Sequence, residues 1–128
     1  MIYLDASVAL AHLFAEDRVP FEGLWDEPLT ASRLLQYELW NRVHARRLGR
    51  SHSDEVRSLL ERVALVELTP IVLERALEPF PVRVRTLDAL HLATMDFLRS
   101  HGQPVELASY DERLVTAARA LQIPVRAL

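Results

Sequence analysis

Residues 1–15 read MIYLDASVALAHLFA: a short apolar segment, one aspartate, and then apolar residues at helical spacing. Met1–Leu4 is predicted to form a strand, and Ser7–Ala15 a helix, because the apolar side chains of the second segment recur every three or four positions. Asp5 follows the strand directly. In parallel sheets, ligands bind just beyond the carboxyl ends of the strands. The stretch therefore predicts a strand–helix unit with a carboxylate at the ligand-binding edge of the sheet.

The rest of the chain repeats this alternation of short apolar segments and helical patterns. Predicted strands are Leu29–Ala31, Leu65–Leu68, Val105–Ala108 and Pro124–Ala127, and predicted helices are Ser32–Leu48, Ser51–Ala64, Pro70–Leu77, Leu87–Arg99 and Glu112–Leu121, with a short helix and a loop in Asp17–Trp25. Gly49 and Gly102 stand where helices are expected to end. Alternating strands and helices favour a parallel sheet with helices on both faces. Since no repeat or linker interrupts the pattern, residues 1–128 are predicted to form one α/β domain.

The composition excludes several kinds of site. The 128 residues include no cysteine, so disulfides, zinc–thiolate sites and thiol nucleophiles are excluded. All 15 basic residues are arginine, which excludes chemistry that needs a lysine, such as a Schiff base or a P-loop. A metal site must then use carboxylates, histidines or backbone oxygens, and this favours Mg²⁺ or Mn²⁺. The net charge of −3 provides no basic field for tight binding to a nucleic-acid duplex.

The apolar start of the chain does not fit a signal peptide, since no positive charge precedes it and Asp5 interrupts it. No other stretch approaches the roughly 18 apolar residues that a membrane span needs. We therefore expect a cytoplasmic protein that does not associate with a membrane.

Three aspartates occupy equivalent places in the predicted fold. Asp5 and Asp111 come after strands, and Asp88 lies in the first turn of a long apolar helix. Each is also explained as a helix-capping or first-turn residue, and Glu38 as half of an i,i+4 ion pair with Arg42. If the strands before Asp5 and Asp111 are neighbours, the carboxylates face one cleft, where a divalent cation would relieve their repulsion. Such a cluster suits metal-assisted hydrolysis of a phosphodiester bond.

Four segments, spread over essentially the whole chain, resemble the motifs of PIN domains in the order in which that family has them. They read MIYLDASVALAHLF, ASRLLQYELWNRVHA, RTLDALHLATM and ELASYDERLVTAARALQIPV. Serine stands at position 109, where the family commonly has threonine, and this keeps the hydroxyl group. The family's acidic residues map to Asp5, Glu38, Asp88 and Asp111, and its hydroxyl residues map to Ser7 and Ser109.

The short single-domain form resembles the VapC-type toxins of bacterial toxin–antitoxin pairs. This resemblance implies a five-stranded parallel sheet in the order 3-2-1-4-5 and a homodimer. It also implies a Mg²⁺- or Mn²⁺-dependent endoribonuclease that cleaves single-stranded or loop RNA and leaves a 3′-hydroxyl and a 5′-phosphate. A small antitoxin protein is the implied partner. Asp5, Glu38, Asp88 and Asp111 are then the expected metal ligands and catalytic residues, and Ser7 and Ser109 are expected to orient them. Whether one or two ions bind is left open.

Other polar side chains near these motifs are interpreted as structural. His91 lies on the apolar helix and is expected to be a hydrogen-bonded core or interface histidine. Thr86 is predicted to be the N-cap of the same helix. Asp96 is interpreted as either solvated or paired with an arginine.

Two other functions compete with the nuclease. A PIN-fold binding module that regulates a partner without cutting RNA is the alternative, although the intact acidic quartet argues against it. A phosphatase of the haloacid-dehalogenase type, with Asp5 as nucleophile, is excluded. That family resembles D-x-D or D-x-[TV] after the first strand and needs a lysine, whereas this chain has Asp5-Ala6-Ser7 and no lysine.

Overall fold

The computed structural model describes residues 1–16 and 18–128. The strands are β1 (Ile2–Leu4), β2 (Leu29–Ser32), β3 (Val63–Val66) and β4 (Glu106–Ala108), and the helices are α1 (Ala6–Leu13), α2 (Leu34–Ala45), α3 (Gly49–Glu61), α4 (Pro70–Leu77), α5 (Thr86–Ser100) and α6 (Glu112–Ala120), with a 3-10 helix at Glu22–Asp26. All strand pairs within the described residues are parallel, in the order β3-β2-β1-β4. This confirms the predicted α/β alternation. Asp17, which begins the predicted segment Asp17–Trp25, lies outside the described residues.

Side chains of the central strand β1 enter two hydrophobic clusters, one on each face of the sheet. Ile2 and Leu4 pack in a cluster with residues of α1, α2 and α3, whereas Tyr3 packs with residues of α5 and α6. Helices therefore cover both faces, as predicted. The chain builds the sheet outward from β1 through β2 to β3, and then returns to place β4 on the other side of β1. The strand order thus reverses between β1 and β4, which is where such sheets bind ligands.

The prediction of a fifth strand at Pro124–Ala127 is wrong for this structure. Val125 makes only a single parallel bridge with Leu107 of β4. Leu107 N donates to Pro124 O at 2.8 Å, and Arg126 N donates to Leu107 O at 2.8 Å. The segment lies at the outer edge of β4, where the fifth strand of the order 3-2-1-4-5 was expected. Because Pro124 has no amide proton, it cannot extend the ladder by donating a hydrogen bond.

Two predicted boundaries around α3 are also wrong. Arg47, and not Gly49, adopts the left-handed conformation after α2, with a φ of +56°. Gly49 instead begins α3, which ends at Glu61. Val63 already pairs with β2 as the first residue of β3, so the strand predicted at Leu65–Leu68 begins earlier. Register with the neighbouring strand, which the local pattern does not contain, decides this boundary.

The helix α5 is buried through its middle and exposed at its ends. Its N-cap is Arg85, and Thr86 is the first helical residue, so the prediction that Thr86 caps the helix is wrong. Gly102, with a φ of +80°, follows its C-terminus as expected. Asp96 accepts a hydrogen bond from Arg75 at 2.8 Å and is therefore the arginine-paired residue that was one of the two interpretations. No helix in the described part of the chain is long and apolar enough to span a membrane.

Candidate active site

Asp5 is held at the point where the strand order reverses. Its amide N donates to Ala108 O at 3.0 Å, so the ends of β1 and β4 lie side by side. The Asp5 side chain is buried, with 6% exposed. Its Oδ2 accepts hydrogen bonds from Ser7 N at 3.3 Å, Ser7 Oγ at 2.6 Å and Ser109 Oγ at 2.8 Å. Oδ1 has no hydrogen-bond partner among residues 1–16 and 18–128. One oxygen of this carboxylate is therefore anchored by the chain, and the other remains available to a ligand.

Ser109 connects Asp5 to a second acidic residue. While its Oγ donates to Asp5, the same oxygen accepts a hydrogen bond from Asp111 N at 2.9 Å. Asp111 is exposed and caps α6, because its Oδ1 accepts from Arg113 N at 3.0 Å and from Leu114 N at 3.4 Å. Neither Oδ2 of Asp111 nor Oδ1 of Asp5 is bonded within the described residues. Ser109 thus links the carboxylate of Asp5 to the backbone amide of Asp111 at the carboxyl ends of β1 and β4.

Glu38 is held from the opposite side by a buried histidine. Glu38 Oε1 is hydrogen-bonded to His91 Nε2 at 2.8 Å, and His91 Nδ1 is hydrogen-bonded to the Tyr3 hydroxyl at 2.7 Å. That hydroxyl also accepts a hydrogen bond from Ser32 N at 3.1 Å. His91 is 2% exposed, and Tyr3 is fully buried. The expected hydrogen-bonded core histidine is therefore confirmed. The partner of Glu38 is this histidine, and no ion pair with Arg42 is found in the described residues.

The pKa of the fourth acidic residue, Asp88, depends on burial and on neighbouring charges. Burial raises the pKa of its carboxyl group, and the negative charge of Asp111 raises it further, with a smaller contribution from Asp5. The backbone N–H of Arg85 and the His91 ring act in the opposite direction. Asp88 therefore lies within electrostatic reach of Asp111 and Asp5.

His91 responds to the same negative field. Burial lowers its pKa, but the hydrogen bond to Glu38 and the charges of Glu38, Asp5 and Asp88 together outweigh burial, so the net pKa is raised. Burial also raises the pKa of the Tyr3 phenol, which therefore stays a neutral hydroxyl group. The polar chain beneath the site is thus an uncharged phenol, an imidazole and a carboxylate.

The four acidic residues are brought to one region but do not form a closed ligand cage. No three histidine, aspartate or glutamate side chains in the described residues are gathered closely enough to hold a metal ion. The donor set nevertheless fits Mg²⁺ or Mn²⁺ in kind, because it consists of carboxylate oxygens. Asp5, Glu38 and Asp111 each have one oxygen anchored by the protein and the other without a bond in that part of the chain. The pKa of Asp88 is raised first by burial and then by the negative charges of Asp111 and Asp5, and a bound cation would offset both effects.

A cleft of about 440 Å³ adjoins Ser109 on the outer side of α6. Its walls include Tyr110 and three arginines, Arg18, Arg119 and Arg126. Arg18 donates to Tyr110 O at 3.3 Å and lies over the tyrosine ring, whereas Arg126 is paired with Glu27 and Glu106. Basic groups therefore lie on the walls of a cleft that reaches Ser109, although the chain as a whole carries a net charge of −3.

Neither the place of Tyr3 in this site nor the contact of His91 with Glu38 was predicted from the amino-acid sequence. A local signal existed for His91, since it lies one helical turn after Asp88 and so shares a helix face with it. Tyr3 precedes Asp5 by two residues, which places both on the same face of β1. The contact of Glu38 with His91 had no local signal, because 53 residues separate the two.

Comparison with known proteins agrees with this geometry. A family model described as PIN domain matches residues 2–120. Ribonuclease VapC35 of Mycobacterium tuberculosis, in strains CDC 1551 / Oshkosh and ATCC 25618 / H37Rv, is 31% identical over 129 residues, which cover 98% of this chain and 95% of the relative. Both findings confirm the resemblance that the four motifs carry. The chain belongs to the PIN domain family.

Proposed function

We propose that the chain is a Mg²⁺- or Mn²⁺-dependent endoribonuclease and the toxin of a type II toxin–antitoxin pair. The observation that carries this proposal is the buried carboxylate of Asp5, anchored through Ser109 beside Asp111 at the point where the strand order reverses. The name of the relative, Ribonuclease VapC35, supports the same reaction class.

Asp5, Glu38, Asp88 and Asp111 would hold the metal. When bound, the ion supplies a hydroxide from water and polarises the phosphodiester group. The chain's own contribution is to keep these carboxylates oriented in a partly buried region. Ser7 and Ser109 orient Asp5, because the hydroxyl group of each donates a hydrogen bond to Asp5 Oδ2.

Single-stranded or loop RNA is the proposed substrate. The cleft beside Ser109 offers Arg18 and Arg119 for phosphate groups and Tyr110 as a ring on which a base could stack. A few local arginines suit a short stretch of flexible strand better than a long duplex, whose binding depends on neutralising many phosphates.

The proposed protein partners are an antitoxin and a second copy of the chain. Large apolar side chains are exposed along α4 and at the start of α5, with Ile71 at 64%, Leu73 at 41%, Leu77 at 86% and Leu87 at 48%. An exposed apolar patch of this kind is typical of a protein–protein interface. We propose that it is covered in the homodimer or in the complex with the antitoxin.

A regulatory PIN-fold module without nuclease activity is the second candidate. One observation favours it: the acidic side chains in the described residues are not drawn together into a closed metal site. A binding module would need no metal affinity, and this difference can be measured.

The test is titration of Mn²⁺ and Mg²⁺ into purified, partner-free protein, followed by incubation with a mixed RNA substrate, for the wild type and Asp5→Asn. The nuclease proposal expects metal-dependent cleavage that is lost in the variant. Absence of metal binding in both proteins would favour the binding module. Metal binding without cleavage would leave the metal site in place and reject the choice of substrate.

A further inference from the structure

We propose that His91 is the positioning residue of Glu38, and that Tyr3 orients His91 by fixing which ring nitrogen donates. The inference deepens the proposed function, since it concerns the way in which one of the four proposed metal-binding carboxylates is held. His91 touches Glu38 and would not touch the metal or the RNA.

The directions of the hydrogen bonds are assigned for the neutral imidazole, which has one donor and one acceptor nitrogen. The Tyr3 oxygen already accepts from the amide of Ser32, so its own proton is free to be donated. The acceptor at 2.7 Å is His91 Nδ1. The neutral imidazole then carries its proton on Nε2, which donates to Glu38 Oε1 at 2.8 Å. Each group donates in the same direction, from the end of β2 to the carboxylate on α2.

This series of hydrogen bonds fixes one carboxylate oxygen of Glu38 from inside the protein. The Glu38 side chain is 23% exposed and the His91 side chain only 3%, so the bond runs from the core toward the surface. Oε2 of Glu38 has no hydrogen-bond partner among the described residues. A glutamate without such an anchor would keep its rotamer freedom, and losing that freedom on binding a ligand has an entropic cost. Holding the carboxylate in advance lowers that cost at the moment of metal binding.

A merely structural role for His91 is the competing explanation. In that case Glu38 would only provide a hydrogen-bond partner for a buried imidazole. Removing a hydrogen bond from the series would then change the stability of the fold, but it would not change metal affinity through Glu38. The two explanations differ in a double-mutant cycle, because a positioning effect needs the carboxylate that it positions.

The experiment measures Mn²⁺ affinity by calorimetry on the full, partner-free chain for the wild type, Tyr3→Phe, Glu38→Gln and the double variant. Tyr3→Phe keeps the buried ring and removes only the hydroxyl. We expect it to weaken Mn²⁺ binding about 10-fold, and to cause no further loss once Glu38 is Gln. The control is Tyr37→Phe on the same helix as Glu38, since Tyr37 is 64% exposed. Equal losses from Tyr3→Phe in both backgrounds would overturn the inference.

A second measurement does not depend on metal binding or on the folding of a variant. Imidazole ¹⁵N spectra of the wild type should show His91 protonated on Nε2 only, and a proton on Nδ1 would overturn the inference. If the wild type bound no Mn²⁺, the proposed function would fail, and the carboxyl ¹³C resonance of Glu38 would decide the positioning role. A shift of that resonance in Tyr3→Phe supports it, and an unchanged resonance rejects it.

Discussion

Replacing Ser109 by alanine should destabilise the fold, because one hydroxyl group connects two acidic segments. The substitution removes the bond donated to Asp5 Oδ2 at 2.8 Å and the bond accepted from Asp111 N at 2.9 Å. A hydrogen bond to a charged group contributes about 1.5–3 kcal/mol and a neutral one about 1 kcal/mol. Ser109 is buried, with 8% exposed, so water replaces these bonds poorly. We expect the free energy of unfolding to fall by about 2–4 kcal/mol.

Urea unfolding followed by far-ultraviolet circular dichroism measures this difference. Ser58→Ala is the matched control, since Ser58 is exposed on α3 and such surface changes usually stay within about 0.5 kcal/mol. Ser109→Thr keeps the hydroxyl and should recover most of the lost stability. A Ser109→Ala protein as stable as the Ser58→Ala control would refute the reasoning, because the two hydrogen bonds would then contribute nothing net.

Three further variants test other parts of the structure. The pKa of Asp88 is raised in the folded state, so the folded protein favours the neutral carboxyl group more than the unfolded chain does. The stability that this preference provides is lost as the pH rises through the folded pKa. In metal-free protein at pH 7, Asp88→Asn should therefore raise the Tm. The gain should disappear below the ordinary aspartate pKa of about 3.9. A lower Tm at pH 7 would contradict this prediction. Gly102→Ala should lower the free energy of unfolding, measured in urea, by about 1 kcal/mol, because a φ of +80° strains any residue with a Cβ. No atom of residues 1–16 and 18–128 lies near the added Cβ, so the cost comes from the backbone conformation. Leu92→Ala, at a fully buried position of α5, should cost about 2–5 kcal/mol, and a loss under 1 kcal/mol would mean that the core beneath the site is loosely packed.

Much of the fold was accessible from local patterns. The alternation of strands and helices and the helical covering of both faces were predicted from these patterns. The pairing of β1 with β4 was only assumed from them, and the resemblance to PIN domains implied it. Errors occurred where a partner strand decides the outcome, as at Val63, whose place in β3 depends on its register with β2. The segment Pro124–Ala127 has the composition of a strand, but Pro124 cannot donate to β4 and only one bridge forms.

The types of element, the acidic residues and the family could be predicted from the amino-acid sequence, because they depend on short-range spacing and on the order of the motifs. The way in which each carboxylate is held depends instead on packing between distant segments. The bond between Tyr3 and His91 joins residues 88 positions apart, and Glu38 meets His91 across 53 positions. Such contacts form when β1, α2 and α5 pack together, and buried polar groups must then find whichever partner the packing brings within reach. No local pattern along the chain carries that information.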